Sequence, residues 1–140
     1  EYAANHRLYG LGCIGTFGRP TLVAGARPRL GATGSVTLNN LNPAATAAVF
    51  TYGYSASAWA FGSLPASLAF VGMPGCVAYA SANEVLLVGA SNGHSTWSFA
   101  VPPDPLLFGL EVYVQALSFD PARNAAGLVS SNGDILTLGW

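Results

Sequence analysis

The sequence predicts an all-β fold: an antiparallel β-sandwich, jelly-roll-like, closed by one disulfide. Three observations carry this reading. Seventeen glycines and nine prolines interrupt the chain, and turn residues at such regular spacing mark sandwiches and barrels. The runs between them are short and rich in β-branched and aromatic residues, which suit a pleated, half-buried surface. No stretch of helical length holds a 3.6-residue apolar period.

The elements follow in order. Residues 1–12 read as an extra strand, with Tyr2, Ala4, His6 and Leu8 on one side. A short strand is expected near Thr21–Ala24. Ser35 to Leu41 alternates Val36 and Leu38 with Ser35, Thr37 and Asn39, the period of a strand with one buried face. Ala47 to Tyr54 is a strand preceded by Asn42-Pro43. Short strands near Leu68–Val71 and Val77–Tyr79, and a single helical turn within Pro65 to Phe70, complete the middle of the chain. Two hairpins are expected. Val85–Val88 runs into Ser91-Asn92-Gly93 and returns as Ser95–Val101; Leu128-Val129 runs into Ser131-Asn132-Gly133 and returns as Ile135–Leu138. Asn-Gly supplies the positive φ angles of a type I′ turn. Between the hairpins, Asp104-Pro105 with Gly109 marks a very short helix. Leu110 to Phe119 is the longest strand; both of its faces are largely apolar, so it is expected to be central and covered on both sides.

Charge is the other informative feature. Only 8% of the residues are charged, against about 25% in an ordinary soluble domain. Lysine is absent, and no charge falls between Arg29 and Glu84. Such a surface has little to keep identical copies apart. Five scattered arginines make no basic stripe, so nucleic acid is not an expected partner. Ala44 to Phe61 is uncharged and nearly long enough for a membrane helix. It contains no Leu or Ile, and two strands are the better reading. A chain that opens on Glu1, with Met73 its single methionine, is expected to be a processed product or a fragment. Cys13 and Cys76 are the two cysteines. They read as one disulfide of an oxidising compartment, two buried thiols being the alternative. Closing a loop of about 64 residues would contribute about 4 kcal/mol in the chain-entropy model.

Motifs that resemble chemistry sit in unsuitable places. Gly10–Gly15 spells G-x-G-x-x-G, but Thr16-Phe17-Gly18-Arg19-Pro20 cannot open the helix that a dinucleotide site needs. Gly89–Gly93 spells G-x-S-x-G, but Ser91 leads from strand to strand rather than from strand to helix, and His94 is only its sequence neighbour. Asp104, Asp120 and Asp134 sit in turn contexts; only Glu84 and Glu111 lack a local structural reason. His6 and His94 are far apart, and no Cys/His spacing suits a metal. No catalytic residue, cofactor or metal site is therefore expected. Trp97 alternates with Phe99 and Val101 as a core residue. Trp59, after a Ser/Ala run, is the better candidate for an exposed ring that could stack on a ligand.

The strings Gly12-Cys13-Ile14-Gly15-Thr16, Arg29-Leu30-Gly31, Asn40-Leu41-x-Pro43, Gly72-Met73-Pro74-Gly75-Cys76 and Gln115-Ala116 followed by Asp120-Pro121 occur in an order that resembles a C-terminal β domain of large secreted proteins of planctomycete-type bacteria. The resemblance runs from about Gly10 to the C-terminus. It implies an extracellular domain with Cys13 bridged to Cys76, and no activity.

The expected organisation is thus an arm at 1–9 and one domain at 10–140. The expected function is a non-enzymatic extracellular structural subunit that self-assembles as a filament or surface layer. The arm would donate a strand through Tyr2, Ala4, His6 and Leu8 to a neighbour; pairing within its own domain is the alternative. A second expectation is a secreted carbohydrate-binding or adhesion module using Trp59 on glycans.

Overall fold

The computed structural model describes residues 3–140. The strands among these residues are β1 (Asn5–Tyr9), β2 (Thr21–Ala24), β3 (Thr33–Asn39), β4 (Ala47–Gly53), β5 (Ala58–Trp59), β6 (Gly62–Ser63), β7 (Ala66–Ser67), β8 (Val77–Ala78), β9 (Glu84–Ser91), β10 (His94–Ala100), β11 (Glu111–Phe119) and β12 (Leu128–Thr137). Eight of them form one sheet in the order β1-β12-β11-β4-β9-β10-β3-β2, and every ladder in it is antiparallel. The fold is all-β with a single Cys13–Cys76 disulfide, as the composition predicts. Residues 44–61, long enough to raise the question of a membrane span, form β4 and the β5 hairpin; no helix among the described residues is long and apolar enough to cross a bilayer.

The sheet is hinged. β9 and β10 pair only through Ser91 with His94 and Ala90 with Ser95. Beyond those pairs the strands diverge into a five-strand half, β1-β12-β11-β4-β9, and a three-strand half, β10-β3-β2. The two halves share one core: Leu22, Val36 and Leu38 from one meet Phe50, Val114, Ala116 and Leu136 from the other. On the opposite side the sheet nearly closes by means of side chains. The Asn132 Oδ1 accepts from the Leu22 backbone N–H at 2.7 Å, and its Nδ2 donates to the Leu22 carbonyl at 3.3 Å. One amide thus stands in for a stretch of ladder that β2 and β12 do not make.

The segment between β4 and β9 crosses the outer face of the five-strand half. Leu64, Leu68, Met73, Cys76 and Ala78 make a second core there with Cys13 and Val129, and Leu117 of β11 packs against it. Gln115 of β11 pins this segment: its Oε1 accepts from the Tyr79 N–H, and its Nε2 donates to the carbonyls of Val77 and Ser131. β11 is therefore central and covered on both faces, as its two apolar faces require.

Three local expectations fail. The longest strand is β12, with ten residues, and not β11, with nine. Leu68–Val71 is not a strand; Ala69–Val71 is a 3₁₀ turn ended by Gly72 at φ 86°. Ser131-Asn132-Gly133 is not a turn, because Leu128–Thr137 is one continuous strand. Gly133 to Thr137 is paired on both edges, to β1 and to β11. A turn there would break both ladders. The irregular local preference is absorbed as a bulge: Gln115 faces Gly133 but Leu117 faces Ser130, so β12 spends one residue more than β11.

Candidate functional site

The segment expected to be an arm lies on its own domain. Asn5 to Tyr9 pairs with Thr137 to Gly133, and the Ala4 N–H continues this edge by donating to the Trp140 carbonyl. The physical reason is in the side chains. Ala4 is fully buried. His6 is almost wholly enclosed, with Nδ1 at 2.7 Å from Asp134 Oδ2 and Nε2 at 3.0 Å from the Ala26 carbonyl. Both ring nitrogens face acceptors, so only the imidazolium, a donor at both, satisfies both. The hydrogen bond to Asp134 raises the His6 pKa above its ordinary value; burial opposes this, and the Ala26 carbonyl adds to it. The Tyr9 ring lies edge-on to Tyr79, and its hydroxyl donates to the Tyr79 carbonyl. Arg7 pairs with Glu111 on the surface, where an exposed ion pair contributes little. Leu8 remains half-exposed. Tyr2, the first of the expected arm residues, lies outside the described residues.

Asp134 is the residue that sequence reasoning missed. It follows Asn-Gly and reads as a turn residue, yet it is fully buried in mid-strand. Its Oδ1 has no hydrogen-bond partner among the described residues. A carboxylate so placed needs a cation, and His6 from the arm supplies one. The only trace in the sequence is an acidic residue heading the apolar run Ile135-Leu136-Thr137-Leu138.

Trp59 is not an open platform. It is half-buried over the second core, edge-on to Phe61 at 5.1 Å and to Phe70 at 6.4 Å between ring centres. The exposed rings are those neighbours, Phe61 at 70% and Phe70 at 59%. Trp97 does join the core: it stacks on Tyr52 at 5.3 Å and packs against Phe50 and Phe99. Below it, where the two halves of the sheet part, a cleft of about 400 Å³ is lined by Tyr52, Tyr54, Trp97, Phe99, Val112 and Leu138.

The motif look-alikes have structural employment. Ser91 ends β9 at the hairpin turn, with Asn92 at φ 54° and Gly93 at φ 81°. The His94 Nδ1 is bonded to Asn39. In the G-x-G-x-x-G stretch, Cys13 carries the disulfide, and a Cβ on Gly12 would lie 2.3 Å from the Pro20 carbonyl oxygen. The Asp120 carboxylate accepts from the N–H and hydroxyl of Thr16, holding this loop. Asp104 caps the 3₁₀ turn at Pro105–Leu107. No family model matches the chain, and neither does any curated protein or solved structure.

Proposed function

We infer that the chain is a non-enzymatic, extracellular structural subunit that assembles with its own copies, by exchange of β1 between them. One observation carries this: β1 is a short edge strand, held among the described residues on one flank only and tethered through Gly10-Leu11-Gly12. His6 on Asp134, Tyr9 on Tyr79 and the β1–β12 ladder are the same contacts whether the strand comes from this chain or the next. Exchange of an identical element between protomers is a low-cost route to assembly, and it propagates head-to-tail when the ring does not close. The surface supports the reading. Charge is scarce, and large apolar side chains stand exposed on separate elements, among them Phe61, Leu87, Leu106 and Trp140. The disulfide and the resemblance to domains of secreted proteins support the extracellular location. Glycan recognition has less behind it, since the Trp59 ring is held edge-on between two phenylalanines.

The test is a covalent record of pairing. Asn5 faces Thr137 across the β1–β12 ladder. The double variant Asn5→Cys, Thr137→Cys is oxidised over a range of concentrations and run without reductant. Exchange gives a ladder of cross-linked dimers, trimers and longer chains that grows with concentration. A chain that closes only on itself at every concentration overturns the reading.

A further inference from the structure

We propose that the free edge of β9 is a second self-association surface, on which two copies pair antiparallel about a two-fold axis at Leu86. This goes beyond arm exchange and does not depend on it. β9 spans Glu84–Ser91, but β10 covers only Ala90 and Ser91. From Glu84 to Gly89 its one neighbour among the described residues is β4. The direction of the backbone groups follows from one bond. The Ala90 N–H donates to the Thr46 carbonyl on the β4 side. Antiparallel pairing alternates, so Val88, Leu86 and Glu84 also turn their groups to β4. Val85 and Leu87 turn theirs outward, into the seam where β10 has moved away. The Gly89 carbonyl, next in line, is taken by the Ser95 hydroxyl at 2.9 Å. Among the described residues the free groups of this edge are thus the N–H and carbonyl of Val85 and of Leu87, with the Gly89 N–H beside them.

Such an edge calls for another strand. It carries none of the devices that guard exposed edges: no lysine, no proline and no bulge within Val85–Val88. Its side chains are apolar on both faces, with Val85 65% and Leu87 69% exposed outward, and Leu86 and Val88 half-buried inward. The occupant is a second copy because the edge is self-complementary. The two outward residues that flank Leu86, Val85 and Leu87, are both apolar and can meet each other across a two-fold axis. With the axis at Leu86, Val85 of each copy meets Leu87 of the other as a hydrogen-bonded pair. Four backbone bonds form, and every exposed apolar residue faces an apolar partner. Each copy brings one charge, Glu84, which lands opposite Val88 at the two ends of the ladder, away from its counterpart. The five-strand halves would then join as one sheet of ten strands, and the interface is isologous.

The test uses the full chain. Leu86→Cys places one thiol on the axis, at a non-hydrogen-bonded pair where Cβ atoms approach within about 5 Å. Oxidation should convert this variant to a disulfide dimer, while Thr96→Cys, on β10, stays monomeric. Independently, sedimentation with the arm locked by the Asn5→Cys, Thr137→Cys disulfide should show a dimer that a further Leu87→Lys substitution abolishes, since the Leu87 side chain points to solvent and its replacement leaves the fold intact. The arm-locked Asn5→Cys, Thr137→Cys variant, oxidised within one chain, cannot exchange β1 but keeps this edge and should still dimerise. An arm-locked chain that sediments only as a monomer, or one in which Leu87→Lys leaves the dimer undiminished, overturns the proposal.

Discussion

The tripeptide Ser-Asn-Gly occurs twice, at 91–93 and at 131–133, and it does opposite things. In the first copy the chain reverses, with Asn92 and Gly93 both left-handed. In the second the chain goes straight on as β12, and neither Asn132 nor Gly133 is left-handed. The local preference is the same; the neighbours differ. At the tip of the first copy Asn92 is exposed, and Gly93 meets the loop at Leu41, whose N–H donates to its carbonyl. The second is wedged between β1 and β11, and its side chains are spent on tertiary contacts. Asn132 replaces a ladder to β2, the Ser131 hydroxyl accepts from the Ala116 N–H, and Gly133 leaves room for the Tyr9 ring. A turn signal is thus a preference of about a kcal/mol, and two ladders outweigh it.

Mutations at matched positions sharpen this contrast, and the asparagines should show the largest effect. Asn132→Ala orphans the buried N–H and carbonyl of Leu22 and is expected to cost about 2–4 kcal/mol. Asn92→Ala keeps every such bond and pays only for a left-handed alanine, about 1 kcal/mol. Denaturant melts of the two variants decide it; equal losses would mean that Asn132 does not close the sheet. The glycines come next. A Cβ at Gly133 would lie 2.5 Å from the Tyr9 ring, so Gly133→Ala is expected to cost about 1–3 kcal/mol by overpacking. The damage should fall on β1, visible as faster amide exchange at Arg7 and Tyr9. Gly93→Ala, at φ 81° with the Leu41 carbonyl 3.2 Å away, should cost about 1 kcal/mol from the backbone alone and leave β1 protected.

A smaller effect separates the two regions by pH. His6, beside the second copy, has a raised pKa through its bond to Asp134. A group raised on folding stabilises the fold fully below its unfolded value near 6.5 and stops doing so as pH climbs through the higher folded value. Protection of β1 amides, corrected for intrinsic exchange, should therefore fall with rising pH above neutrality. Asp134→Asn should flatten that slope. The β9–β10 hairpin should show no such slope in either protein, and a parallel loss in both regions would defeat the assignment to His6. The same titration bears on assembly: weaker docking of β1 at higher pH should speed the cross-linked ladder of the Asn5→Cys, Thr137→Cys variant.

Much of the fold is legible residue by residue. The short strand expected near Thr21–Ala24 is β2. The alternation of Trp97, Phe99 and Val101 does mark the core-facing side of β10, and the two apolar faces of Leu110–Phe119 do mark a strand covered twice. The pair Cys13–Cys76 is bonded. The site residues are a different matter. Ala4 and His6 do alternate onto one side of a strand, but which β12 edge receives them is not written in their own side chains. Trp59 reads as an exposed ring from its small neighbours, yet Phe61 and Phe70, only two and eleven positions on, fold around it. Asp134 reads as a turn residue and is a buried carboxylate.

The division has one physical cause. The sequence alone determined what depends on nearest neighbours along the chain: strand periodicity, the all-β class, the Asn92-Gly93 turn and the scarcity of charge at the surface. The tertiary structure decided everything that depends on what lies across the sheet. It placed β1 against β12, turned Ser131-Asn132-Gly133 into a bulge, set His6 on Asp134 and parted β9 from β10 after two residue pairs. Local preferences are worth about a kcal/mol each, whereas a buried amide, a buried carboxylate or a ladder on each edge is worth several, and such terms appear only when distant segments meet.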